Sequence, residues 1–405
     1  RGRPMMRILF VDDDANVLAG LRCMLRRMKK EWDMHFADSG EKALAAMEKD
    51  PFDVIVSDMR MPGMDGADLL AQVRDKYPKT VRIVLSGHSE KEMIMRSVGP
   101  AHQYLSKPCD AEQLRLTVSR ALGLRTLVHN PELKALVARL DTLPSLPDLY
   151  TKIMEELDSP NASIKRIGEI ISQDLGMTAK ILQLVNSSFF GLRRHIADAT
   201  QAVNFLGVEI IKSLVLSIQV FSQMKSEQLK AIQPDVLWQH SMTVGMLSRD
   251  LALQQELSKS EADDSFMGGV LHDVGKLVLA ANLPEQYAEV MKAVNAKKGR
   301  QEDLETEVFG ASHSQIGAYL LGLWGGTDPL LEAIAFHHNP EASKVHGFAP
   351  LASVHIANGL QYVSTLGEAE HSDQISISYL DHLNVLENLQ GWIEEAKSSE
   401  NRGDV

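Results

Sequence analysis

Cysteine is scarce in this chain: only Cys23 and Cys109 occur in 405 residues, so no disulfide framework is indicated and a reducing cytoplasm is the expected compartment. No apolar run reaches the roughly 18 residues that a membrane-spanning helix needs, and the opening RGRPMMRILF has too short an apolar region for a signal peptide. No membrane association is therefore expected. Positive charge is in deficit. The net charge of −12 disfavours bulk binding to nucleic acid or anionic membrane, and nothing resembles a winged helix or helix-turn-helix, so direct DNA binding is not expected. Gly/Ser-rich tracts and repeats of fixed period are also missing. The first residue is Arg1 rather than Met, which we read as an upstream start or processing. What remains is an ordinary globular composition, 44% hydrophobic and 24% charged, in a length that accommodates two or three domains.

The stretch organising the first third is VIVSDMRMPGMDG, residues 54–66. Val54-Ile55-Val56 is a short β-branched run of the kind that forms a buried strand, and Pro62, Gly63 and Gly66 break it into a loop, which leaves Asp58 at a strand's carboxyl end. Ile8-Leu9-Phe10-Val11 reads the same way and ends in Asp12, Asp13 and Asp14. Carboxylates crowded into one mouth repel unless a hard cation such as Mg²⁺ offsets them through oxygen ligands. Asp13, Asp58 and the Arg60 carbonyl can supply those oxygens, and Lys107 can bind a phosphate oxygen as a point charge. Further strands are expected around Phe36-Ala37, at Val81 to Leu85 and at Gln103 to Ser106. Amphipathic helices are expected over Ala15 to Lys30, Gly40 to Lys49, Ala67 to Lys76, Ser89 to Val98 and Asp110 to Leu122. The alternation predicts an α/β doubly wound, five-stranded parallel sheet.

Five features in order make residues 5–122 resemble the receiver domain of two-component response regulators: Asp12-Asp13, Asp58 in SDMRMPGMDG, Ser86 in VLSG, Tyr104, and Lys107 in SKP. The resemblance implies a flavodoxin-like fold and a phosphoryl group taken from a histidine kinase onto Asp58. It also implies an acidic pair at Asp12 and Asp13, a switch hydroxyl at Ser86, a switch aromatic at Tyr104 and a phosphate-binding Lys107.

Residues 123–140 read as a semi-rigid helical linker with Pro131 at a helix start. Beyond Leu140 the strand signals disappear. Apolar spacing of three and four over Ser163 to Ser172, Gly176 to Asn186, Asp198 to Phe205, Gly207 to Met224 and Pro234 to Gln255 predicts an all-α half, with Ser163, Asp174 and Asp198 at N-cap positions. The LPSLPDLY, ISQDLGMTAKILQLVNSSFFG, ATQAVNFLG and GVLHDVGKL segments make residues 141–398 resemble the HDOD domain, a helical relative of HD phosphohydrolases; residues 399–405 are a tail. Such domains are generally regarded as signalling or scaffolding modules.

His240, His272-Asp273, Lys276, His313 and His337-His338 also match, in order, positions of the HD-GYP cyclic di-GMP phosphodiesterases. Imidazole and carboxylate suit Fe, Mn or Zn, so a residual metal site is implied. Two departures stand against catalysis: Asn358 falls where HD enzymes have a metal-binding aspartate, and Val236 where some HD-GYP members have a glutamate. The leading reading is a phosphorylation-controlled signalling adaptor acting on a downstream signalling protein, with a homodimer left open. The alternatives are a metal-dependent phosphodiesterase for a cyclic dinucleotide such as cyclic di-GMP, and a non-catalytic nucleotide sensor.

Overall fold

The computed structural model describes residues 5–86, 100–123, 127–140, 143–145, 147–159, 162–186, 196–208, 211, 221–223, 232–366 and 374–400. Its first part alternates β1 (Met6–Val11), α1 (Ala15–Met24), β2 (Trp32–Ala37), α2 (Gly40–Lys49), β3 (Val54–Asp58), α3 (Gly66–Lys76), β4 (Val81–Ser86), β5 (Gln103–Ser106) and α4 (Ala111–Gly123). The strands form one parallel sheet in the order β2-β1-β3-β4-β5. The apolar runs of β1 and β3 lie inside it, Ile8, Phe10, Val54 and Ile55 being fully buried. Each such side chain stabilises the sheet by about 1.5–3 kcal/mol through its removal from water. The expected helix Ser89 to Val98 lies outside the described residues.

Helix α1 stops at Met24 instead of Lys30. Residues Arg26–Lys30 form a 3₁₀ turn with no buried residue, because RRMKK offers no apolar face for an α-helix to bury. The linker also differs from a continuous helix. Residues 127–130 are non-helical, and α5 (Pro131–Ala138) begins afresh. The cause is local: the Asn130 side chain accepts from the amides of Glu132 and Leu133, and a proline at the first helical position is poor continuation but good initiation.

The second part adds β6 (Leu143–Ser145), α6 (Pro147–Asp158), α7 (Ile164–Ser172), α8 (Leu175–Val185), α9 (Ala199–Leu206), β7 (Phe221–Gln223), α10 (Pro234–Gln254), α11 (Lys259–Leu271), α12 (Val274–Asn282), α13 (Pro284–Asn295), α14 (Gln301–Phe309), α15 (His313–Leu323), α16 (Asp328–Phe336), α17 (Pro350–Leu366), α18 (Ile377–His382) and α19 (Leu389–Glu400). Ser163, Asp174 and Asp198 accept from first-turn amides, as expected of N-caps. This half is not wholly helical: β6 and β7 pair in parallel across a long sequence separation, so part of the expected Gly207 to Met224 helix is a strand. Residues 209–210, 212–220 and 224 of that stretch lie outside the described residues. No described helix is long and apolar enough to cross a membrane.

Close backbone approaches set the helix positions in the second half. A Cβ on Gly275 would lie 1.9 Å from the His313 carbonyl oxygen, so only glycine lets α12 meet the start of α15. Gly269 and Gly245 do the same for α11 and α10, a Cβ on Gly269 falling 2.6 Å from the Gly245 Cα. Gly275→Ala is expected to cost about 1–3 kcal/mol through overpacking, read as a lower urea midpoint. Gly391→Ala, whose added Cβ meets open space, should not lower it.

Candidate functional site

The first site forms at the carboxyl edge of the sheet. Strand β1 delivers Asp12 and Asp13 just past Val11, β3 ends at Asp58, and β5 leads into Lys107. Ligand-capable oxygens of Asp12, Asp13 and Asp58 lie within 4.8 Å of one another. Lys107 reaches across β4 to bond both Asp58 and Asp12, the latter at 2.7 Å. The Arg60 backbone amide donates to Asp58 Oδ2 at 3.1 Å. Burial pushes the Asp58 carboxyl above its ordinary range, against the pull of Lys107. Burial also works against the charged form of Lys107, but its bonds to Asp12 and Asp58 outweigh it and raise its pKa. Tyr104 is buried on β5, and Ser86 ends β4 opposite Ser106. The Ser86 side chain lies outside the described residues. Three clustered acids with one ammonium fit a hard divalent cation bound through oxygen.

A second cluster forms where five elements of the helical half converge. His240 comes from α10, His272 follows α11, Asp273 and Lys276 open α12, His313 opens α15, and His337-His338 follow α16. Outer oxygens hold the Nδ1 atoms of four rings: Gln361 Oε1 for His240 at 2.7 Å, Gly269 O for His272 at 2.7 Å, Glu305 Oε2 for His313 at 2.6 Å and Ile334 O for His337 at 2.8 Å. Each bond turns the corresponding Nε2 inward. His240 and His272 then meet through Nε2 atoms 3.1 Å apart, and His313 and His338 through Nε2 atoms 3.2 Å apart. Asp273 lies between the groups. Its Oδ1 is 3.2 Å from His313 Nε2, while Oδ2 is 3.4 Å from His272 Nε2 and 2.6 Å from Lys276 Nζ.

The electrostatics sort these rings. Burial pushes His272 down to about 3 and holds His337 and His338 well below the ordinary imidazole range. Burial opposes the charge on His313 as well, but Glu305 and Asp273 outweigh it and push the ring up to about 9. Burial also opposes the charge on Asp273, yet neighbouring His272, Lys276 and His313 hold it well below the ordinary carboxylate range. Asp273, Glu305, Lys276 and protonated His313 therefore balance two negative against two positive charges. Asn358 is buried against the His240 ring, and Val236 is exposed.

Comparison with known proteins assigns both halves. The response regulator receiver domain model matches residues 8–119, and the HDOD domain model matches residues 143–340. The chain joins a response regulator receiver domain to an HDOD domain. An uncharacterized protein of Treponema pallidum is 27% identical over 226 residues, 56% of this chain and 43% of that protein. The hydrogenase transcriptional regulatory protein HoxA of Cupriavidus necator is 35% identical over 132 residues, 31% of this chain and 27% of that protein. The chain thus spans less than half the length of these curated relatives. Among solved structures, the MmoQ response regulator of Methylococcus capsulatus is 21% identical with a TM-score of 0.45, covering 62% of this chain and 98% of that one. The signal receiver domain of an HD domain-containing protein from Pseudomonas fluorescens is 32% identical with a TM-score of 0.29, covering 30% and 98%.

Within the HDOD domain, the residue that sequence reasoning missed is Glu305. It opens the ETEVFGASH segment, is fully buried on α14, and bonds both the amide and Nδ1 of His313. The available signal was a carboxylate eight residues before His313, one turn before the buried Phe309 that ends the same helix. The Asp273–Lys276 pair is a buried ion pair, with side chains 1% and 11% exposed. Asp273→Ala should destabilise the domain by about 3–5 kcal/mol, because it strands the buried ammonium, and Asp273→Ala/Lys276→Met should recover most of that loss. Chemical denaturation of both variants checks this.

Proposed function

We propose that this response regulator is a phosphorylation-controlled signalling adaptor. Asp58 accepts a phosphoryl group from a histidine kinase, and the change in the receiver pocket alters what the HDOD domain presents to a downstream signalling protein. One observation carries the reading: Lys107, which bridges Asp12 and Asp58, directly follows β5, the strand whose Gln103 donates to Gly322 O of the HDOD domain at 3.1 Å. In the transfer, an Asp58 carboxylate oxygen forms the new bond to phosphorus while the donor's bond to phosphorus breaks and the donor leaves with that electron pair. Asp13 and Asp58, with Asp12 beside them, would hold a Mg²⁺ ion, which would offset the negative charge gathered there. The phosphoryl group adds about −1.5 to −2 units of charge beside Lys107, which then has a stronger partner than Asp12. Redirecting that side chain pulls on the carboxyl end of β5. The experiment is incubation of the full chain with a small-molecule phosphodonor and Mg²⁺. Mass should rise by one phosphoryl group in the wild type and not in Asp58→Asn; labelling that survives the substitution would sink the assignment.

A second reading is favoured by the inward-facing Nε2 pairs of the histidine centre. Two ring nitrogens whose Nδ1 atoms are already bonded outward repel at 3.1 Å unless a cation or proton lies between them. His240, His272 and Asp273 form one group and His313, His337 and His338 another, each with ligand atoms within 4.8 Å of one another, and both suit Fe, Mn or Zn. The four-charge balance leaves little to compensate a second ion, and Asn358 adds no charge. We therefore expect no turnover of cyclic di-GMP with Fe²⁺, Mn²⁺ or Zn²⁺ under anaerobic conditions, followed by chromatography. Turnover that disappears in Asp273→Ala would overturn the adaptor in favour of the phosphodiesterase.

A further inference from the structure

A cavity of about 90 Å³ lies where the receiver and HDOD domains meet. Tyr104 of β5 and Arg120 of α4 form part of one wall, and Leu271, Leu321 and Leu330 part of the other. Each leucine stands on an element that also carries a group of the histidine centre. Leu271 is the last residue of α11 and is followed directly by His272 and Asp273. Leu321 lies about two turns along α15 from His313, its first residue. Leu330 is in the first turn of α16, whose far end delivers His337 and His338. Two polar contacts fix the receiver onto the same helices. Gln103 bonds Gly322 O on α15, and Arg120 meets Asp328, the first residue of α16, through two nitrogens at 2.6 and 3.2 Å.

Resting on the reading of both sites given above, we propose that the receiver pocket and the histidine centre are reciprocally coupled through α11, α15 and α16. Phosphorylation of Asp58 changes the affinity of the histidine centre for a divalent cation, and occupancy of that centre changes the phosphorylated state of the receiver. The geometry provides the route. A close-packed interior does not deform smoothly, so a shift of β5 at the cavity wall is passed on as a displacement of whole helices. His272 directly follows Leu271, so a displacement of the end of α11 is passed to it along the backbone. Coordination is sensitive to such displacements, since ligand distances for these metals hold within a few tenths of an ångström. Binding linkage then requires that a divalent cation and a reversibly bound phosphoryl mimic alter each other's affinity by the same factor.

The test uses the full chain and Co²⁺, whose visible absorption on imidazole ligation distinguishes the histidine centre from the all-oxygen receiver pocket. Co²⁺ is titrated with and without beryllofluoride and Mg²⁺, beryllofluoride serving as the phosphoryl mimic. The expected result is a change of about fivefold or more in the Co²⁺ dissociation constant. In Gln103→Ala/Arg120→Ala, which removes the polar contacts but neither pocket, the change should fall below about twofold while beryllofluoride still binds. Equal Co²⁺ affinity with and without bound beryllofluoride in the wild type would overturn the coupling and leave both site readings standing. Absence of imidazole-type absorption would overturn the coupling together with the metal reading, and failure to take up beryllofluoride would overturn it together with the receiver reading.

Discussion

A carboxylate taken out of water has to meet positive charge nearby, and both centres of this chain are built around that constraint. In the receiver, Asp12 and Asp58 share the Lys107 ammonium, which arrives from β5 by spanning the intervening strand. In the HDOD domain, Asp273 takes its ammonium from Lys276, one turn along the same helix. The difference in origin matters. Lys276 is fixed to its partner by the geometry of a single helix, so the pair behaves as part of the core. Lys107 is joined to its partners only through the sheet.

Strand β5 is the edge strand of the sheet, and the HDOD domain covers the region beside it. Around it, Arg82 and His102 both bond Ala138 O at the end of α5, at 2.8 and 2.9 Å, and Gln183 Nε2 reaches His102 O. The His102 ring is committed at both nitrogens, since the Arg82 amide donates to Nδ1 at 3.1 Å and Nε2 faces Ala138 O. Buried polar groups satisfied in this way resist sliding, so the linker helix and the strand move together or not at all. One continuous apolar core runs from Ile8 and Phe10 of the sheet to Leu321 and Ile334 of the helices. The two halves therefore share an interior as well as a surface.

The parts of this arrangement that were legible in the sequence are those whose signal is local. Val54 to Asp58 announces a buried strand with an acid at its end, and Gly40 to Lys49 announces a helix, because periodicity and turn residues act over a few positions. The parts that were not legible depend on partners far away in the chain. Strands β6 and β7 are three residues each and pair only with one another, so the prolines around β6 read as a turn and the spacing around β7 reads as helical. Glu305 has no motif of its own; its role follows from burial against His313. Asn130 shows both kinds at once: its cap of α5 is a local signal read through Pro131, whereas its Nδ2 bond to Phe309 O is visible only in the fold.

The same constraint limits what the histidine centre can hold. With Asp273 and Glu305 balanced by Lys276 and protonated His313, the centre is neutral without an ion. One dication that displaces the His313 proton leaves a net charge of about +1, whereas two leave about +3. At an effective dielectric of about 20, two unit charges 4 Å apart interact by about 4 kcal/mol, so the second ion meets a repulsion that no carboxylate nearby offsets. Asn358 keeps the polar shape of an aspartate without its charge.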